Sequence, residues 1–178
     1  MPTAAQLLDK LDGCAKGIAG WRTYEDIATE ILTFLFVPPL SGPKPQARSF
    51  SGIDRRDAVF GNRNMTPETT WGQLRLELDA RLPLFEFKNY DTEVGKDEVD
   101  QTRNYLTATI GRFAVLCCRT KPSQQALLRR NHAFTQEKKV ILFVTDEDLR
   151  EMLRMKESGA DPALFLMDLL ELFYMQHE

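Results

Sequence analysis

Histidine is almost missing from this chain: His132 and His177 are the only two among 178 residues. Cysteine is nearly as rare. There are three, of which Cys117 and Cys118 are neighbours, so the chain lacks both the pairs of a disulfide framework and the spaced thiolates and imidazoles of a zinc site. Sparse, unpaired cysteine suits a reducing compartment, and the expectation is a cytoplasmic protein. A dominant charge is lacking too. The formal net charge is −3, so there is no global basic field and any contact with nucleic acid must come from a local patch. The opening Met1-Pro2-Thr3-Ala4-Ala5-Gln6 lacks the basic-then-apolar layout of a secretory leader. Long apolar runs are also absent: the nearest, Ala163 to Met175, is broken by Asp168 and Glu171 and falls short of the roughly 20 residues a membrane helix needs. No membrane partner is expected. Internal repeats and low-complexity linkers do not occur.

What is present is the balance of a globular protein, 43% hydrophobic and 28% charged, which excludes disordered, collagen-like and coiled-coil chains. The length suits a single domain, 1–178, large enough to bury about 70% of its unfolded surface without disulfides or metals. A first helix is expected from Ala4 to Ala15, with Leu7, Leu8 and Leu11 on one side. A second is marked by Thr23 as a cap, with Asp26 in the place of a capping-box acid, followed by Tyr24, Ile27, Ala28, Ile31, Leu32 and Leu35 at helical spacing. The proline-rich stretch from Val37 to Pro45 reads as a loop. Two strands follow, Ala47 to Ser51 and Arg55 to Phe60, joined by a tight turn near Gly52 and ended by Gly61-Asn62-Arg63-Asn64.

A third strand covers Leu82 to Lys88, with Pro83 near its start. The segment from Lys96 to Ile110 reads as a helix with Val99, Thr102, Leu106 and Ile110 inward. Phe113 to Cys118 and Val140 to Val144 are continuous apolar runs, the pattern of strands buried on both faces. Helices are expected at Pro122–Asn131, Glu147–Lys156 and Pro162–Gln176. This order predicts an α/β sandwich: a central mixed sheet of about five strands flanked by helices.

Chemistry concentrates on Asp57, Glu86 and Lys88. Side chains alternate along a strand, so in Glu86-Phe87-Lys88 the acid and the lysine share one face while Phe85 and Phe87 take the other. Two acids and a lysine on neighbouring strands can hold a hard cation and set an ammonium beside it, as phosphodiester hydrolysis requires. The tripeptide alone carries no weight. Chance gives about one acid-x-lysine in a chain of this composition, and a second stands at Glu137-Lys138-Lys139. Context separates them, because only the first lies inside an apolar strand and follows an acid, Asp57, placed in another strand before Ala58-Val59-Phe60. The alternative for Glu86 and Lys88 is a surface salt bridge on an edge strand.

Taken together, Arg55-Arg56-Asp57-Ala58-Val59-Phe60 and Glu86-Phe87-Lys88-Asn89-Tyr90 resemble the PD-(D/E)XK nuclease superfamily, of restriction-endonuclease-like fold. In the following helix Gln101 and Tyr105 are similar to the Gln-x-x-x-Tyr signature of its RecB-like members, and the resemblance runs from about Thr23 to Asp148. The chain departs from the superfamily in having Arg56 where proline commonly precedes the first acid. By position the resemblance makes Asp57 and Glu86 metal ligands, with the carbonyl of Phe87 a third, and makes Lys88 the group that orients or deprotonates the attacking water and stabilises the pentavalent phosphate. It implies magnesium, with manganese able to substitute, a DNA substrate with RNA not excluded, and a 5′-phosphate product. It also places a glutamate on the preceding helix. Glu25 matches that position and, at 100° per residue, lies on the border of the apolar face, with Asp26 and Glu30 turned away from it.

Gln101 and Tyr105 stack four residues apart on one helix side, either as contacts to the scissile phosphate or a base, or as an ordinary helix flank. Nucleic-acid binding would rest on Arg55, Arg56, Arg63, Arg119, Lys121, Arg129 and Arg130, several of them at strand ends. No helix-turn-helix or zinc finger is recognisable, so specificity would come from loops, a second copy of the chain or a separate specificity subunit. Glu77 with Asp79, in a connecting segment, and Asp146-Glu147-Asp148, an acidic first turn, read as structural. Cys117 and Cys118 read as buried packing. The apolar last helix reads as core, with self-association as the lesser alternative. The rival to a working nuclease is a catalytically silent domain of the same fold that binds nucleic acid or a protein.

Overall fold

The computed structural model describes residues 2–48 and 55–177. Seven α-helices and five strands are found among them. The helices are α1 (Ala4–Asp12), α2 (Trp21–Phe36), α3 (Thr70–Leu78), α4 (Lys96–Tyr105), α5 (Gln124–Glu137), α6 (Asp146–Glu157) and α7 (Ala163–His177). The strands are β1 (Ser41–Arg48), β2 (Arg55–Gly61), β3 (Leu84–Lys88), β4 (Phe113–Cys118) and β5 (Val140–Thr145), and they lie in that order across one sheet. The pairs β1–β2 and β2–β3 are antiparallel, whereas β3–β4 and β4–β5 are parallel. The expected α/β architecture with a mixed five-stranded sheet is therefore present.

Period-two alternation sorts the strand residues onto two cores. Ala58 and Phe60, Phe85 and Phe87, Val115 and Cys117, and Leu142 and Val144 pack with α1, α2, α3, α6 and α7. Val59, Leu84, Ala114, Leu116, Ile141 and Phe143 pack with α4 and the start of α5. The larger core closes through aromatic pairs, with Phe36 edge-on to Trp71 at 5.1 Å and stacked on Phe85 at 6.1 Å. Cys117 and Cys118 are fully buried, and burial pushes the Cys118 thiol up to about 12, so both are packing residues.

Several elements differ from the sequence expectation, each for a local reason. The proline-rich stretch is a loop only as far as Leu40. From Ser41 it becomes β1, where Pro43 and Pro45 are accommodated because the strand is at the sheet edge and its register shifts between Ser41 and Lys44. The expected strand end at Ser49–Ser51 and the turn at Gly52 lie outside the described residues. Thr23 does not cap α2: the helix continues directly from a 3-10 turn, Ile18–Gly20, and begins at Trp21 with no side-chain cap. The segment holding Glu77 is helical. Thr69 accepts from the Gly72 N–H at 3.1 Å and starts α3, and Trp71, Leu74 and Leu78 turn inward at helical spacing while Leu76 stays exposed. α4 ends at Tyr105, five residues before Ile110, because the chain turns extended at Leu106 and then uses Gly111 at φ 110°, where a side chain would collide with the Asp79 carbonyl. α5 runs past Asn131 to Glu137 and closes on Lys138 in the left-handed region.

Candidate active site

Asp57 and Glu86 face each other where the β2–β3 ladder stops. Main-chain pairing between these strands is in register at Val59–Leu84 and Ala58–Phe85, which sets Asp57 opposite Glu86. Beyond that point side chains take over the hydrogen bonds. The Phe87 N–H donates to Asp57 Oδ2 at 2.8 Å, and the Asp57 N–H donates to Glu86 Oε1 at 3.3 Å. An extended residue points its N–H and C=O toward the same neighbour strand, so the Phe87 carbonyl is directed to the side where Asp57 stands.

Glu86 is 1% exposed. Burial first, and the charge of Asp57 second, push its pKa from 4.5 to about 8, while Lys88, the Asp57 N–H and Arg56 act in the opposite direction. Lys88 lies on the same face, its Nζ 3.9 Å from Glu86 Oε2 and donating to Gln101 Oε1 at 2.9 Å. Gln101 Nε2 donates in turn to the Tyr105 hydroxyl at 2.9 Å, and the Arg56 guanidinium stands 5.7 Å from the centre of the Tyr105 ring. Arg56 is 7% exposed, and its Nε has no hydrogen-bond partner among the described residues. The run Asp57–Glu86–Lys88–Gln101–Tyr105 is thus one connected polar cluster on the α4 side of the sheet.

Glu25 is half-buried on α2 and borders a cavity shared with Phe87 and Lys88. Asp57 and Glu86 with the Phe87 carbonyl are the oxygen donors that meet at the end of the β2–β3 ladder. The donor chemistry fits a hard divalent ion, since a buried carboxyl whose proton affinity is raised by burial and by the carboxylate beside it offers, with that carboxylate, the oxygen ligands such an ion prefers.

The basic residues divide. Arg119 is 8% exposed and fully engaged inside the protein: Nε donates to Asp146 at 2.7 Å, one terminal nitrogen to Asn89 Oδ1 at 2.7 Å and the other to the Cys14 carbonyl at 3.0 Å, with Tyr24 beneath it at 4.9 Å. It is therefore not a phosphate contact. Its place after β4 and ahead of an acidic helix start signals the ion pair with Asp146. Arg130 likewise packs over Phe173 and Phe143, at 4.7 and 5.7 Å, and burial lowers its pKa to about 10. Arg129 donates to Asp100 at 2.7 Å. Arg63 and Lys121 are exposed but border different cavities, one beside β1 and one beside α6. The Arg55 side chain lies outside the described residues.

Asn89, just past the end of β3, has a role that the sequence does not signal. It is 5% exposed, its Nδ2 donates to the Ala15 and Gly17 carbonyls at 3.0 and 2.9 Å, and its own carbonyl accepts from the Gly17 N–H at 2.7 Å. With Arg119 it fastens residues 14–20 to the end of β3. Gly20 permits that approach, because a Cβ there would sit 1.9 Å from the Ala15 oxygen.

No protein-family model, curated protein or solved structure matches this chain. Among the described residues no helix is long and apolar enough to cross a membrane.

Proposed function

We propose that the chain is a metal-dependent nuclease that hydrolyses phosphodiester bonds in DNA, a member of the PD-(D/E)XK type, serving restriction, phage defence or repair. The observation that carries the reading is the meeting of Asp57, Glu86 and Lys88 on one face at the end of the β2–β3 ladder, with Glu86 buried and Lys88 held 3.9 Å from it. A structural ion pair needs one acid. The second, set beside the first, adds the oxygen donor that a divalent ion would use in exchange for the Glu86 proton.

Asp57, Glu86 and the Phe87 carbonyl would hold magnesium, or manganese in its place. When bound, the ion supplies a Lewis acid for the phosphoryl oxygens and a nucleophile at neutral pH. The chain's own residues supply the rest. Lys88 places a positive charge where negative charge grows on the phosphate and can hold or pass a proton at the attacking water. Gln101 fixes the direction of that ammonium, and Tyr105 fixes the Gln101 amide, so these two position Lys88. Arg56, with a buried N–H donor, adds positive potential at the carboxylate pair. The product end would carry a 5′-phosphate.

Plasmid, linear duplex and single-stranded DNA incubated with the protein and magnesium provide the test. Cutting is expected from the wild type, abolished by EDTA and reduced roughly 100- to 10,000-fold in Lys88→Ala and in Asp57→Ala. Equal activity in the folded Lys88→Ala protein would refute the assignment, and an inert wild type would favour a silent binding module.

A further inference from the structure

Beside the carboxylate pair lies a cavity of about 590 Å³, a volume typical of small-ligand sites. Lys88 belongs both to its wall and to the polar cluster, so whatever enters lies next to the group acted on. Its lining includes exposed aromatic and apolar groups, Trp21 36%, Tyr90 38% and Ile18 93% exposed, with the Arg22 guanidinium 5.0 Å from the Trp21 ring centre. Two acids, Glu25 and Asp91, are also in the lining. Carboxylates repel a phosphate, whereas they accept hydrogen bonds from the amino and imino N–H groups of a nucleobase, and aromatic rings stack on its faces.

The walls are also held rigidly. Asn89 and Arg119 tie residues 14–20 to the end of β3, Gly17 turns at φ 81°, and the Tyr90 hydroxyl donates to Glu98 at 3.2 Å. A preformed cleft loses less on binding.

Building on the proposed nuclease activity, we infer that this cavity takes one unpaired nucleobase flanking the scissile phosphate, so that the preferred substrate is single-stranded DNA or an unpaired end. A base inside a duplex offers neither its faces nor its pairing edge unless it is unstacked.

The chain has two tryptophans, and Trp71 is 1% exposed, so quenching of tryptophan emission reports on Trp21. The wild type in EDTA is titrated with a short single-stranded oligonucleotide and with the blunt duplex of the same sequence. The single strand should quench and bind about tenfold or more tightly than the duplex. The signal should vanish in Trp21→Phe. Tyr90→Ala should weaken binding about tenfold while Tyr90→Phe retains it, and with magnesium Tyr90→Ala should raise KM far more than it lowers kcat. Equal binding of duplex and single strand, or an unchanged Tyr90→Ala, overturns the inference. Cleavage without quenching or strand preference overturns it alone and leaves the nuclease standing. Quenching as expected, with no cleavage in magnesium, refutes the nuclease and keeps the nucleobase site.

Discussion

Replacing Glu86 by Gln tests the electrostatics of the site without any substrate. The Glu86 carboxyl stands at about 8 in the folded protein against an ordinary 4.5, raised by burial and then by Asp57. A carboxyl whose folded pKa exceeds its unfolded one holds its proton more tightly in the native state. Its contribution is therefore fully present below the unfolded value and is lost as pH rises toward the folded one. At about 1.4 kcal/mol per pKa unit, the loss across that window is at the outside on the order of 4 kcal/mol. For a chain of this size 1 kcal/mol moves Tm by about 2–4 °C, so this group alone should lower the melting temperature of the metal-free protein by roughly 10 °C between about pH 5 and 8.5. In Glu86→Gln the amide oxygen can still accept the Asp57 N–H, but there is no charge to bury. Thermal unfolding followed by circular dichroism in EDTA should give two Tm curves that lie together near pH 5 and separate above about pH 6, with the variant the more stable at high pH. Magnesium should restore the wild type at high pH by binding the native state only, and should restore the variant much less. Curves that stay parallel across the range would show that Glu86 is neither buried against Asp57 nor titrating as described.

Two further substitutions probe how the site is held. Gln101→Ala removes the acceptor that holds Lys88 at 2.9 Å and the donor that holds Tyr105 at 2.9 Å; it should lower kcat about tenfold or more with Tm nearly unchanged, and Gln101→Glu should shift the pH profile, since its carboxylate would stabilise the ammonium. Arg119→Met leaves the Asp146 carboxylate, 7% exposed, without its partner. The loss should be about 3–5 kcal/mol, partly recovered by adding Asp146→Asn, and trypsin should cut faster at the exposed Lys16 once residues 14–20 lose their tie. Unchanged proteolysis would mean that Arg119 does not fasten that segment.

The parts of this molecule written in the sequence are those governed by a single local rule. β4 and β5 are uninterrupted apolar runs, and buried parallel strands have no other appearance, so Phe113–Cys118 is legible to the residue. The shared face of Glu86 and Lys88 follows from the pleat alone. What escaped local reading depends on tertiary position. Pro43 and Pro45 in a strand contradict propensity and become acceptable only at the edge of a sheet, a property of the whole arrangement. In α3, the run Leu74-Arg75-Leu76-Glu77-Leu78 alternates like a strand, and only the core behind Trp71 selects the helical partners Leu74 and Leu78 and leaves Leu76 outside.

The basic residues show the limit most clearly. Arginine has the same sequence appearance whether it meets solvent, an aromatic face or a buried acid, and Arg63, Arg130 and Arg119 do these three things respectively. The site sits between the two kinds of legibility. Its acids and lysine were placed by strand periodicity. What periodicity does not show is the failure of the β2–β3 ladder past Ala58–Phe85. The register sets the two acids opposite each other, and the loss of main-chain pairing at that point turns the end of an interior ladder into a polar site, with the Asp57 carboxylate taking the Phe87 N–H.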